Sequence, residues 1–210
     1  MSSAAPALAT PPPPPPSDPR FPNLRADVVA GYLGAPETMV AEVIDGELSL
    51  MPRPKPRHAH AATRMSGRLR RFHDPVDDDP GGWVVLVEPE LHLGPRPDIL
   101  DPDLAGWRRE RFPADAFDDD APGAIAVAPD WVCEILSERT QAVDRGKKRR
   151  IYRREGVGHY WLLDPRDKTL EVYRLVDGKW LEVDTYEGDA VVRAEPFDAV
   201  ELDLSALWRA

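Results

Sequence analysis

The chain has 210 residues, of which 42% are hydrophobic and 30% charged, with a formal net charge of -10 and one cysteine, Cys133. That length suits one domain with a sizeable core, the charge argues against coating nucleic acid by bulk electrostatics, and a lone cysteine closes no internal disulfide. Nothing approaches the ~18 consecutive apolar residues of a membrane span, and the start lacks a basic stretch followed by an apolar run, so a soluble, cytoplasmic protein without membrane contact is expected.

In chain order, Pro11 to Pro16 form an unbroken proline run, followed by Ser17-Asp18-Pro19. Such a run favours solvated polyproline chain and buries little. Residues 1–22 are therefore expected to be a disordered proline-rich tail, a candidate ligand for aromatic grooves, and 23–210 a single domain. Val40 to Met51 reads as a hairpin about Asp45-Gly46, a pair suited to tight turns. His58 to Phe72 carries Met65, Leu69 and Phe72 at helical spacing. Trp83 to Leu93 reads as a strand that Gly94-Pro95-Arg96-Pro97 breaks, and Ile99 to Trp107 as the next, opened by Pro102. Residues 108–128 form a long charged excursion. Trp131 to Leu136 is a short apolar strand of the type buried on both faces. Asp144 to Glu155 is expected to be helical, ending at Gly156. Tyr160–Leu163, Leu170–Leu175 and Trp180–Tyr186 then read as a meander with turns at Asp164-Pro165 and Asp177-Gly178. The fold class is α/β.

Glu134 interrupts the Trp131–Leu136 run. A buried carboxylate is costly unless paired, hydrogen-bonded or metal-bound. An arginine from a neighbouring helix would satisfy it. So would a divalent cation, most naturally magnesium, shared with an acid on the adjacent strand. Lys148, fourteen positions later, has enough chain to fold back over the strand end, whereas Lys147 points about 100° away on a helix. Asp98, Asp101 and Asp103 compete as the second acid; Asp103 leads because it begins the apolar run Leu104-Ala105-Gly106-Trp107. Glu42 lies on the hairpin, where it reads as a surface charge. His60 is an auxiliary candidate near a helix start. Tyr152, one turn after Lys148, shares its face and could hydrogen-bond the acids or simply join the core. His58 and His60 suggest zinc only faintly, with no set completing four ligands. No nucleophile elbow or phosphate-cradling glycine loop is present.

The ordered set PDLAGW, PDWVCEILS, D-R-G-K-K-x-x-x-Y and GVGHYWLLDP, preceded by EVIDGEL and a histidine near His60, resembles the bacterial "putative restriction endonuclease" family of the PD-(D/E)XK nuclease superfamily. The likeness runs over roughly residues 36 to 186. It implies a restriction-endonuclease-like core, a mixed β-sheet flanked by helices. By that likeness Asp103 matches the motif's first acid and Glu134 the second. The position two residues after the second acid is Leu136, so the motif's lysine is matched instead by Lys148 on the following helix.

The expectation is thus a Mg2+-dependent endonuclease hydrolysing DNA phosphodiester bonds, with Mn2+ a substitute. Asp103 and Glu134 would hold the metal and Lys148 would steady the transition state. Asp98, His60 and Tyr152 are auxiliary candidates, as is Glu42, which the likeness of its segment to the family's E-x-I-D-G-E pattern makes equally a metal neighbour or a hairpin surface charge. The basic helix 145–154, including Lys147 and Arg149, and Arg108 to Arg111, with Arg108 and Arg109, would meet the DNA backbone. Cutting both strands requires two sites, hence a homodimer. The alternative is a nuclease-like fold that binds DNA or a protein partner without cutting.

Overall fold

The computed structural model describes residues 20–209. The proline run lies outside the described residues. Phe21, however, is buried, its ring 5.6 Å from Tyr32 and 5.5 Å from His92, so ordered packing starts ahead of the expected boundary at residue 23.

The first elements are helix α1 (Ala26–Leu33), which has no counterpart among the expected elements, and the hairpin of β1 (Met39–Ile44) and β2 (Glu47–Pro52). Asp45 and Gly46 both take positive φ, 54° and 77°, as a two-residue type I′ hairpin requires. Helix α2 (Pro56–Arg68) opens on a proline, whose missing N–H costs nothing in a first turn, and buries Ala61, Ala62 and Met65. The short α3 (Arg70–His73) extends it.

Four short strands follow: β3 (Trp83–Val87), β4 (Leu91–Leu93), β5 (Asp98–Leu100) and β6 (Leu104–Arg108). Here the expectation of two longer strands needs correction, because each splits between two sheets. Glu88 adopts φ 49°, a left-handed conformation that ends β3 and turns the chain away. Strands β4 and β5 pair with each other, and β5 pairs with β1. Strand β7 (Trp131–Ile135) leads into α4 (Gln141–Val143), a π-helical turn over Asp144–Lys148, and α5 (Arg149–Arg154). Then come β8 (His159–Asp164), β9 (Thr169–Val176) and β10 (Lys179–Glu187), the expected meander, and finally β11 (Val191–Val192), β12 (Leu202–Asp203) and α6 (Ser205–Trp208), which carried no clear sequence signal.

The larger sheet has order β10-β9-β8-β7-β6-β3; β7 and β8 run parallel and all other pairs antiparallel. The parallel pair needs a crossover, and the helical segment 141–154 supplies it. The smaller sheet has order β2-β1-β5-β4. Alternation along β7 sends Trp131, Cys133 and Ile135 to one face, where they pack with α2, Trp161 and Phe197. Val132 and Leu136 go to the other, where Ile44, Leu91 and Leu100 of the small sheet meet Ile151 and Tyr152 of α5. Glu134 falls on this second face.

Candidate active site

Strands β6 and β7 pair antiparallel with Leu104 opposite Cys133, and continuing that register by one step sets Asp103 opposite Glu134. Directly opposed residues of an antiparallel pair share a face. Both acids line a cavity of about 560 Å3 between the two sheets and the 141–154 crossover. Asp103 accepts the Ile135 N–H at 2.6 Å on one oxygen, and its other oxygen lies 3.2 Å from His58 Nε2.

The floor is a buried ion cluster. Lys148 Nζ lies 2.8 Å from Glu42 Oε1, 3.2 Å from Glu134 Oε1 and 3.7 Å from Asp144 Oδ1. Tyr152 donates its hydroxyl to the same Glu134 oxygen at 2.7 Å. Glu42 also accepts the backbone N–H of Asp101 at 3.0 Å, which ties the small sheet to the site. The π-helical turn places Asp144 and Lys148 together on the buried side, and one α-helical turn later Tyr152 follows; single π turns of this kind recur at functional sites.

Proton affinities follow from this crowding. Burial works against the Lys148 ammonium, but the Glu134, Glu42 and Asp144 carboxylates outweigh it and push its pKa well up, so it stays charged. Burial raises Glu134, with Lys148 opposing. Asp144 is raised to about 6 by burial, again against Lys148. Asp101 is raised to about 7 by burial and then by the Glu42 and Glu90 charges. Burial disfavours the His58 imidazolium, yet contact with Asp103 more than offsets it and raises its pKa. The Tyr152 hydroxyl is pushed far up by burial and Glu134 and remains protonated.

The structure therefore brings together Asp103, Glu134, Lys148, Glu42 and Tyr152. It does not bring in His60, whose ring contacts the Arg209 carbonyl at 2.8 Å, or Asp98, which accepts from Arg154 at 2.6 Å and from the Asp45 N–H at 2.6 Å. His58 takes the place expected of His60. The helical period could have found it, because His58 shares a face with Ala61, Ala62, Met65 and Leu69, all buried, and His60 does not. Asp144 belonged to a quoted motif without a role. Of the expected DNA contacts, Arg108 stacks on Trp83 at 4.2 Å at the end of β6 remote from Asp103, Arg109 donates to the Trp83 carbonyl at 3.2 Å, and Arg149 covers Tyr173 at 4.2 Å. Neither these three nor Lys147 lines the cavity.

Among the described residues no group of three or more His, Cys, Asp or Glu side chains is arranged to hold a metal ion. A magnesium site nevertheless needs only one or two carboxylates, with water and substrate completing the shell. Asp103 and Glu134 supply hard oxygen donors on one face, and three carboxylates, Glu42, Glu134 and Asp144, surround the single Lys148 ammonium. The residues present fit a divalent cation.

A family profile matches residues 32–205, nearly all of the folded part. The chain belongs to the Uma2 family, described as "Putative restriction endonuclease". Among solved structures it is similar to the crystal structure of a "putative nuclease" from Anabaena variabilis, with a TM-score of 0.65 and 22% identity over 86% of this chain and 97% of that one. At that identity the likeness establishes a shared fold, and with the family match it places the chain in the restriction-endonuclease-like class. No curated protein matches the sequence.

Proposed function

We propose that this Uma2 chain is a divalent-metal-dependent endonuclease that hydrolyses DNA phosphodiester bonds. The observation that carries the reading is the placement of Asp103 and Glu134, from neighbouring strands and on one face, at a cavity that also holds the charged Lys148. Asp103 and Glu134 would hold Mg2+, or Mn2+ in its place. Bound there, the ion supplies Lewis-acid polarisation of the phosphate and a lowered pKa for water. Lys148 stays protonated and so serves as a hydrogen-bond donor and positive charge, toward the substrate phosphate or the attacking water, and not as a base. Tyr152 and Lys148 share one Glu134 oxygen and so fix that carboxylate's orientation. Cleavage of both strands of a duplex would take a homodimer.

A second reading, a nuclease fold that binds without cutting, draws support from the lack of a cluster of three metal-capable side chains among the described residues. One experiment separates the two. Supercoiled plasmid is incubated with the parent, Glu134→Gln and Lys148→Met in Mg2+, in Mn2+ and in chelator, with far-UV circular dichroism checking that each variant is folded. Metal-dependent nicking by the parent that falls about 100-fold or more in each folded variant is the expected result. Nicking that survives Glu134→Gln, or a parent that binds plasmid and leaves it intact under every metal, would overturn it.

A further inference from the structure

The cavity is acidic below and basic at its mouth. Its buried acids are Glu42, Glu134 and Asp144, whereas its exposed lining carries four cations, Arg53, Lys55, Arg57 and Arg139, against two acids, Glu88 and Glu138. Three of these cations sit on one short strap, Pro52-Arg53-Pro54-Lys55-Pro56-Arg57, which joins the end of β2 to the first turn of α2. Alternating proline makes the strap stiff. A residue before proline is held in extended or polyproline conformation, and Lys55 has φ -76° and ψ 159°. Two residues of such chain advance ~6 Å, so Arg53 and Lys55 are presented in a fixed row, with little conformational entropy to lose on binding. Helix α2 also starts with no acid in its first turn, leaving its positive end uncompensated beside Arg57.

Several other basic groups, in the cavity wall and elsewhere, are already engaged. Arg145 pairs with Glu171, Arg150 with Asp45, Arg154 with Asp98, Arg111 with Asp130 and Arg166 with Asp164. Arg53 spends one N–H on the Glu37 carbonyl at 3.3 Å, and Lys55, Arg57 and Arg139 have no carboxylate partner among the described residues. Among the described residues, positive charge without a carboxylate partner thus stands at the rim of this cavity, as it also does at Arg153 and Lys179 of a second cleft.

We propose that the Arg53–Arg57 strap is the element that grips the substrate, binding successive phosphates of a polynucleotide backbone and laying it across the cavity, with Arg139 on the facing lip. This rests on the reading of the cavity as a nuclease site and moves the backbone contact away from the basic crossover helix and from Arg108 and Arg109. Phosphate contacts of this kind carry no base information, so the strap confers affinity and register without sequence preference.

The test is binding of the full chain to a fluorescein-labelled DNA duplex in chelator, followed by anisotropy over a series of salt concentrations. The triple variant Arg53→Ala, Lys55→Ala, Arg57→Ala should bind at least ~10-fold more weakly at low salt, and the slope of log K against log salt should shrink by about 2 to 3, at ~0.9 for each phosphate the variant no longer neutralises. An equal removal of charge elsewhere, Arg64→Ala, Arg68→Ala, Lys179→Ala, should leave the slope as in the parent. An unchanged slope in the strap variant, an equal fall in both variants, or a parent that does not bind would overturn the proposal. A parent that binds through the strap and never cuts sinks the nuclease reading and keeps the strap. A parent that cuts while the strap variant keeps its salt slope does the reverse.

Discussion

Lys148 is a buried ammonium whose charge is met by three carboxylates, and removing one partner from such a cluster leaves the others uncompensated. Lys148→Met should therefore cost about 3 kcal/mol at pH 8, measured by urea unfolding, and less at pH 5, where the stranded acids take up protons. Asp144 gives a second pH signature. Its folded pKa of about 6 lies above its ordinary value of 3.8, so the folded state holds the extra proton and gains stability below about pH 4. That gain is lost as pH rises through about 6. Asp144→Asn, which has no proton to hold, should flatten the fall in unfolding free energy between pH 4 and 6; a slope equal to that of the parent would show that Asp144 is not the titrating group. At this scale the sequence was informative where burial and charge conflict. Glu134 was legible because an acid inside an apolar run demands a partner. The identity of that partner was not legible, because nothing local distinguishes an arginine from Lys148; His58, by contrast, was separable from His60 by the helical period of α2.

Elements with strong periodicity were readable: the Asp45-Gly46 hairpin, helix α2, strand β7 and the β8–β10 meander. The pieces that escaped, β11, β12 and α6, are two to four residues long and have too little pattern of their own. They nevertheless close the larger core. Phe197, between β11 and β12, has its ring centroid 4.8 Å from Trp83, 5.0 Å from Trp131 and 4.9 Å from Phe72. Phe197→Ala should cost about 3–5 kcal/mol, a fall in Tm of roughly 10 °C in a thermal melt. A loss under about 1 kcal/mol would show that the C-terminal segment is an appendage and not part of the domain. The splitting of two expected strands has an equally local cause in retrospect, the left-handed Glu88, but a glutamate does not announce positive φ as a glycine would.

Across the whole molecule, the two sheets share one apolar cluster: Ile44, Leu91 and Leu100 from the smaller pack with Ala105, Val132 and Leu162 from the larger. They should unfold together. Urea transitions followed by tryptophan fluorescence, which reports mainly on the larger sheet, and by far-UV circular dichroism should coincide. Val43→Ala in the smaller sheet should shift both midpoints equally; separated midpoints would mean two units. The sequence by itself determined the fold class, the family resemblance, and which carboxylates and lysine were candidates, because periodicity, turn residues and charges inside apolar runs are local properties. The tertiary structure alone decided that Glu42 from one sheet joins Glu134 from another around Lys148, that His58 meets Asp103, and that the free cations stand at the cavity mouth, because those contacts join residues as much as 106 positions apart and depend on how two sheets and a crossover helix pack.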